Sequence, residues 1–206
     1  MTATVALPMF PLGTVLFPTM VLPLHVFEPR YRALIDDCTA DGADGEFGVV
    51  LIERGSEVGG GDVRTRVGTV ARILQVERFD DGRLALAAVG TRRIRIERWL
   101  ADDPYPRAEV TDWDDVGAAG VGLEEADPLF RRALALAAEL GEAPAPLDVE
   151  LAEDPALATF QIGALAPLGP VDRQALLATE GADERVALLV EQLTDVVELL
   201  RARLGG

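Results

Sequence analysis

The feature that most constrains this chain is an apolar, proline-rich segment near its start, PMFPLGTVLFPTMVLPLHVFEPRYRAL, from Pro8 to Leu34. Proline removes a backbone donor and fixes φ at about −65°, so the strands beside it must be short or bent. The runs Thr14 to Phe17 and Met20 to Phe27 are rich in β-branched and aromatic residues and predict two such strands. Because proline is tolerated mainly on edge strands, the segment predicts a curved sheet with an exposed edge.

A helix is predicted directly after these strands. Glu28-Pro29 places proline in a first helical turn, and Tyr31, Leu34 and Ile35 follow at helical spacing. The hydrophobic period therefore changes from two to about 3.6 within a short stretch.

The chain to about Trp113 predicts further strands, at Phe47 to Glu53, Thr69 to Phe79, Leu84 to Val89 and Arg92 to Trp99. Asp81-Gly82 is a residue pair suited to a hairpin turn between two of them. Bent strands with one helix suit a small closed or partly closed barrel, because closure hides strand edges.

The second part of the chain, beyond an acidic connector at residues 112–121, predicts four helices. They begin at Asp127-Pro128, Asp154-Pro155, Pro170 and Asp183. The last helix carries an apolar seam, formed by Val186, Val190, Leu193, Val197, Leu200 and Leu204. The seam predicts packing within a helical bundle, and a dimer or partner-helix surface is the alternative.

The predicted fold class is α+β. A β-rich domain with one helix covers residues 1–117, and an all-α C-terminal bundle covers residues 118–206.

Composition argues against most enzyme chemistry. The chain has no lysine, and His25, Ser56 and Cys38 are the only residues of their types. No nucleophile–base set can be assembled from them, so no catalytic residue, metal site or cofactor is predicted. Gly59-Gly60-Gly61 lacks the context of a phosphate-binding loop and predicts a plain loop.

Charge and hydropathy limit the partners and the location. The net charge of −16 argues against nucleic acid, because phosphate binding needs clustered positive charge. No apolar run of about 18 residues and no basic leader are present, so neither a membrane span nor a signal peptide is expected. A single cysteine fits a reducing compartment, and the predicted location is cytoplasmic.

Three blocks of the sequence closely resemble the N-terminal domain of Lon proteases. The first has Pro11, Leu12, Val15, Phe17, Pro18, Met20, Pro23 and Leu24 at the family's positions. The second is Val67 to Ile96, with its G-T-x-A-x-I strand and D-G hairpin. The third is LAPLGPVDRQALLATEGADERVALLVEQL, in the C-terminal helices. Glu28-Pro29-Arg30-Tyr31 is similar to the stand-alone bacterial members.

The resemblance implies a PUA-like pseudo-barrel followed by helices, and a domain that recognises substrate polypeptides and supports assembly. Full-length Lon proteases carry an ATPase module and a Ser-Lys peptidase after this domain, and this chain contains neither. The expected function is therefore non-enzymatic binding of unfolded or client polypeptides, with a separate protease as a further partner. The alternatives are an RNA-binding PUA-like protein, a homo-oligomerising adaptor for a separate protease, and a hydrolase with unrecognised carboxylates. A monomer or weak homodimer is expected, with no membrane or nucleic-acid partner.

A polypeptide can add to the exposed strand edge or lie in an apolar groove. The candidate binding residues are Phe10, Leu16, Phe17, Met20, Phe27, Arg30, Tyr31 and Arg32. Arg30 and Arg32 can anchor carboxylates, although the acidic surface as a whole favours basic or neutral partners. The competing interpretation is that most of the apolar candidates belong to the core.

Overall fold

The computed structural model describes residues 4–54, 63–116 and 123–205. The chain divides into two compact units, Met1–Asp114 and Asp115–Gly206. The predicted domain boundary at residues 117 and 118 lies outside the described residues, and so do Ser56 and the glycine run at residues 59–61.

The first unit is a six-stranded sheet with one helix. Its elements are β1 (Val5–Leu12), β2 (Val21–Val26), α1 (Pro29–Cys38), β3 (Glu46–Arg54), β4 (Val63–Arg78), β5 (Leu84–Trp99) and β6 (Arg107–Asp112). The strand order is β2-β5-β4-β3-β1-β6, and β5 also pairs with β6. Five strands therefore pair in a closed ring, and β2 is attached to β5 outside it. β1 and β3 run parallel, and the other pairs are antiparallel, so the sheet is mixed.

Strand β1 was not predicted, because Pro8 and Pro11 interrupt its pattern. The structure accommodates both prolines by giving each half of the strand one partner. Residues 5–8 pair with β6, and residues 9–12 pair with β3. Each half therefore has one unpaired side, where a residue without an N–H is tolerated.

The predicted strand at Thr14 to Phe17 is wrong, because this segment is a loop. Its apolar residues are buried by packing rather than by strand pairing, with Phe17 only 1% exposed. The loop fits because Gly90 of β5 has no side chain: a Cβ there would lie 2.2 Å from the Phe17 carbonyl oxygen. Thr19, at φ 67°, then turns the chain into β2.

Other elements differ from the prediction in extent. The strands predicted at Leu84 to Val89 and Arg92 to Trp99 are one continuous strand, β5. β6 was missed, although its sequence RAEVTD alternates polar and apolar residues as a half-buried strand does. The predictions of β3, of the β4–β5 hairpin at Asp81-Gly82 and of α1 beginning at Pro29 are confirmed.

The second unit consists of helices. They are α2 (Ala126–Glu139), α3 (Pro155–Leu165), α4 (Pro170–Leu177) and α5 (Ala182–Gly205). The predicted N-cap at Asp154 is confirmed, since its carboxylate accepts the amides of Ala156 and Leu157. The predicted N-cap at Asp127 is wrong. Asp127 lies within the first turn of α2 and pairs with Arg131 at 3.0 Å.

Helix α5 packs against α2, α3 and α4 through the predicted seam. Val186, Leu193, Val197 and Leu200 are buried, whereas Leu204 at the end of the helix is 37% exposed. Most of the seam is therefore internal packing of this unit. No helix within the described residues is both long and apolar enough to cross a membrane.

Candidate functional site

Two exposed aromatic side chains mark one end of the sheet in the first unit. Phe27 is 58% exposed and Phe79 is 40% exposed. Phe27 follows β2 and Phe79 follows β4, and the register joins both strands to Leu84 of β5. The residues that follow β2 and β4 therefore lie at the same end of the sheet.

Between the two rings lies a cavity of about 450 Å³, which we call the aromatic groove. Its lining residues are His25, Val26, Phe27, Phe79, Arg83 and Leu84. The mixture of two rings, aliphatic side chains and a few polar groups is typical of a ligand-binding groove.

A second cavity of about 400 Å³ adjoins the groove and shares Phe79 and Leu84 with it. We call it the Arg32 cavity. Its lining residues are Pro29, Arg32, Ala33, Asp36, Arg78, Phe79, Gly82 and Leu84. Helix α1 supplies one wall, and the β4–β5 hairpin supplies the other.

The arginines around these two cavities have different partners. Arg78 pairs with Asp36 at 2.7 Å, and Arg83 pairs with Asp81 at 2.7 Å while lying 6.0 Å from the Phe79 ring centroid. Arg32 donates from Nη1 to the Gly82 carbonyl oxygen at 3.1 Å. Among the described residues it has no carboxylate partner.

Gly82 is the residue that lets Arg32 approach the hairpin. It has a φ of 80°, which side-chain-bearing residues rarely adopt, and a Cβ there would lie 2.5 Å from Arg32 Nη1. The hairpin turn thus fixes the position of the guanidinium.

Under Phe27 is a small pocket of about 80 Å³, whose lining includes Phe10 and Tyr31. Those two rings stack with their centroids 4.1 Å apart and are almost fully buried. Arg30 lies 4.5 Å from the Tyr31 ring centroid and pairs with Glu28 at 3.0 Å. Phe10 and Tyr31 therefore belong to the packed interior beside the groove rather than to an open surface.

The other predicted binding residues lie away from the groove. Leu16 and Phe17 are buried in the core, and Met20 is half-buried against it. Their apolar character reflects core packing, so their position does not favour a direct contact with a ligand. Of the eight predicted residues, Phe27 and Arg32 face the two large cavities.

Sequence reasoning missed Phe79 and Arg83. Both flank the Asp81-Gly82 turn, so the hairpin prediction contained the signal that they are close to each other. Their position beside Phe27 depends on the register of β2 and β4 against β5, which the sequence does not specify.

Strand β2 has one partner among the described residues, so its other edge is open. The Met20 carbonyl accepts the Gly90 amide at 2.9 Å, and backbone groups alternate in direction along an antiparallel strand. Val21, Pro23 and His25 therefore point their backbone groups outward. Pro23 lacks an N–H, so the open edge has a gap at its centre.

The described residues contain no poised nucleophile near this site. Burial raises the pKa of the Cys38 thiol to about 12, and the neighbouring Asp37 carboxylate acts in the same direction. Burial and a hydrogen bond to Asp37 likewise raise the pKa of Tyr105 to about 12. No group of three or more His, Cys, Asp or Glu in the described ranges is placed to hold a metal ion.

The second unit has a cavity of similar size, about 440 Å³, at the start of α2. Its cation, Arg131, donates to Asp127 and to the carbonyl oxygens of Leu147 and Val149. Because these internal partners occupy the guanidinium, this cavity is a weaker candidate for binding a ligand.

Comparisons with a sequence profile, with curated proteins and with solved structures all point to the same family. The sequence profile of the ATP-dependent protease La (LON) substrate-binding domain matches residues 6–195. Lon protease 2 of Herpetosiphon aurantiacus is 31% identical over 95% of this chain, and Lon protease 2 of Myxococcus xanthus is 32% identical over 95%. The chain spans 25% and 24% of the length of those two relatives.

Two solved structures have the same fold over nearly their whole length. The crystal structure of a Lon N-terminal domain protein from Xanthomonas campestris has a TM-score of 0.69 and 29% identity, and the similarity covers 91% of this chain and 98% of that one. The N-terminal domain of the Mycobacterium avium complex Lon protease has a TM-score of 0.60 and 25% identity, covering 92% and 98%.

Proposed function

The chain belongs to the family of Lon substrate-binding domains, and we propose that it binds unfolded or client polypeptides through the aromatic groove without catalysing a reaction on them. The observation that carries the proposal is the pair of exposed rings, Phe27 and Phe79, on either side of a cavity of about 450 Å³. Exposed aromatic side chains at a concave surface mark binding sites more often than chance.

The groove suits an extended chain. It lies at the end of β2, whose exposed face consists of Val21, Pro23 and His25. These residues pair with Val89, Ala87 and Ala85 of β5, so a mostly apolar strip leads along the sheet past His25 to Phe27. Six residues at about 3.3 Å each make this strip roughly 20 Å long, enough for a peptide of similar length.

Side chains rather than a continuous strand ladder supply most of the affinity in this proposal. Pro23 interrupts the outward edge of β2, so an added strand would lose a backbone hydrogen bond at its centre. Apolar contacts with the two rings are insensitive to sequence, and this suits a binder of many different clients.

Several finer features belong to the same proposal. We propose that the closed strand ring is a PUA-like pseudo-barrel and that the helices of the second unit form a bundle around α5. We also propose a cytoplasmic location, with a separate protease as a further partner. The proposed oligomeric state is a monomer or weak homodimer.

Replacing Phe27 by serine is expected to weaken binding of a permanently unfolded, reduced and alkylated protein about tenfold, because an aromatic anchor in a groove contributes more than about 1 kcal/mol. The change in stability is expected to stay within about 0.5 kcal/mol, since the ring is mostly exposed. Fluorescence anisotropy with labelled polypeptide measures the affinity, and a thermal melt measures the stability.

The matched control is Val171→Ser, at an apolar residue of the second unit that is 77% exposed. It is expected to leave the affinity unchanged. Equal loss of affinity in both variants would mean that binding is non-specific, and unchanged binding by Phe27→Ser would place the site elsewhere.

A further inference from the structure

We propose that the Arg32 cavity is a carboxylate subsite, so that the preferred polypeptide carries a carboxylate next to the apolar side chain held in the aromatic groove. This inference rests on the proposed function and adds a chemical preference to it. The carboxylate can be that of an acidic side chain or of a chain end.

The Arg32 guanidinium has more N–H donors than the structure uses. A guanidinium carries several N–H donors in a planar fork and accepts no hydrogen bond. The structure uses one of them, in the bond from Nη1 to the Gly82 carbonyl oxygen at 3.1 Å. Since no carboxylate of the described residues pairs with Arg32, the remaining donors can meet a carboxylate from outside.

The surroundings favour an anion at this place. Arg78 and Arg83 line the two cavities and are each balanced by one aspartate, whereas Arg32 adds an unbalanced positive charge. This contrasts with a net charge of −16 for the chain. The first turn of α1 also contributes the positive end of a helix dipole, and the Glu28 side chain does not cap it.

The position of the subsite sets the spacing of the ligand's groups. The two cavities share Phe79 and Leu84, so they are neighbours on one surface. A side chain held between Phe27 and Phe79 and a carboxylate at Arg32 would therefore come from adjacent or nearly adjacent residues. Pro29 and Ala33 also line the cavity, and a partly apolar lining strengthens a charge-assisted hydrogen bond.

The expected acidic preference reverses what the overall charge suggests. A chain of net charge −16 repels acidic ligands at long range. Contact at Arg32 is local, and it is weakened by salt only to the extent that solvent reaches it. Acidic peptides are therefore expected to have a lower association rate constant than neutral peptides. Their dissociation rate constant is expected to be reduced by a larger factor, so they bind more tightly.

The test uses short labelled peptides that share a Leu-Phe centre and differ at the next residue, which is Glu, Gln or Lys, all with amidated ends. A second pair ends directly after Phe, as the free acid or as the amide. Fluorescence anisotropy is measured with the wild-type chain and with Arg32→Gln and Arg132→Gln. Arg132 is an exposed arginine of α2, so its variant matches the change in net charge.

The Glu peptide or the free-acid peptide is expected to bind about tenfold tighter than its neutral counterpart. This factor corresponds to the low end of the free energies measured for hydrogen bonds to charged groups. Arg32→Gln should remove this preference and leave the neutral peptides unaffected. Arg132→Gln should keep the preference. A third variant, Arg32→Glu, should reverse the preference, so that the Lys peptide binds best.

The outcomes identify the source of the carboxylate and separate failure of the subsite from failure of the proposed function. A preference only for Glu assigns the subsite to acidic side chains, and a preference only for the free acid assigns it to chain ends. If all peptides bind equally and Phe27→Ser still weakens them, the carboxylate subsite is refuted and the proposed function stands. If no peptide binds while the unfolded protein still binds and Phe27→Ser weakens it, the subsite is refuted and the proposed function stands; if neither the peptides nor the unfolded protein binds, both fail.

Discussion

Replacing Leu193 by aspartate is expected to cost at least about 4 kcal/mol of the free energy of unfolding of the second unit. Leu193 is fully buried at the centre of α5, which packs against the three other helices of this unit. The substitution removes a buried aliphatic side chain and places a carboxylate in the packed interior of the helices. Far-UV circular dichroism during thermal unfolding measures the loss.

The matched control is Leu199→Asp, on the same helix but 60% exposed. It should leave the melting temperature nearly unchanged. A folded Leu193→Asp variant that melts like the control, and that differs only in oligomeric state, would contradict internal packing of the seam and favour the dimer surface.

Replacing Arg185 by methionine is the second substitution with a large expected effect. Arg185 lies in α5 with no exposed surface, which is unusual for arginine. Its Nε donates to Thr159 at 2.7 Å, both terminal nitrogens bond the Asp115 carboxylate, and its guanidinium lies 3.7 Å from the Phe160 ring centroid. One side chain therefore joins α3, α5 and the segment at residue 115.

Removing one partner of a buried ion pair costs about 3–5 kcal/mol, because the other charge remains without compensation. Asp115 retains 20% side-chain exposure, so solvent relieves part of that cost and a loss of about 3 kcal/mol is expected. Chemical denaturation monitored by circular dichroism measures it. The control is Arg203→Met. Arg203 lies on the same helix as Arg185, and its pair with Glu142 is exposed, so the variant should change stability little.

A double variant separates the charge from the packing. Arg185→Met combined with Asp115→Leu removes both charges and should recover part of the stability lost in Arg185→Met alone. A single variant as stable as the wild type would show that the pair contributes nothing. A double variant less stable than the single one would show that Asp115 stabilises the unit through contacts other than its pair with Arg185.

Sequence signals predicted the helix starts that depend on interactions between neighbouring residues. Pro29 in a first turn and Asp154 as an N-cap both mark helix starts that the structure contains. The loop at Thr14 to Phe17 was predicted wrongly because β-branched and aromatic residues signal burial, and burial here comes from packing against Gly90 rather than from strand pairing. Strand preference and core preference select the same residues.

Long-range arrangements were not predictable from the sequence. Arg185 stands among acidic and small residues in GADERVALL and has the pattern of a solvated charge, yet its partners come from two distant segments. The candidate site shows the same limit. Phe27 and Arg32 were predicted from one contiguous stretch, whereas Phe79 joins them only through the register of β5.

The most direct test of the central claim is amide hydrogen exchange of the chain with and without a saturating unfolded polypeptide. Binding in the aromatic groove predicts slower exchange at residues 24–33 and 78–84, and no change in the helices of the second unit. Protection at those two segments should be lost in Phe27→Ser. Protection at residues 123–131 alone, or no protection by a polypeptide that demonstrably binds, would contradict the assignment of the groove as the binding site.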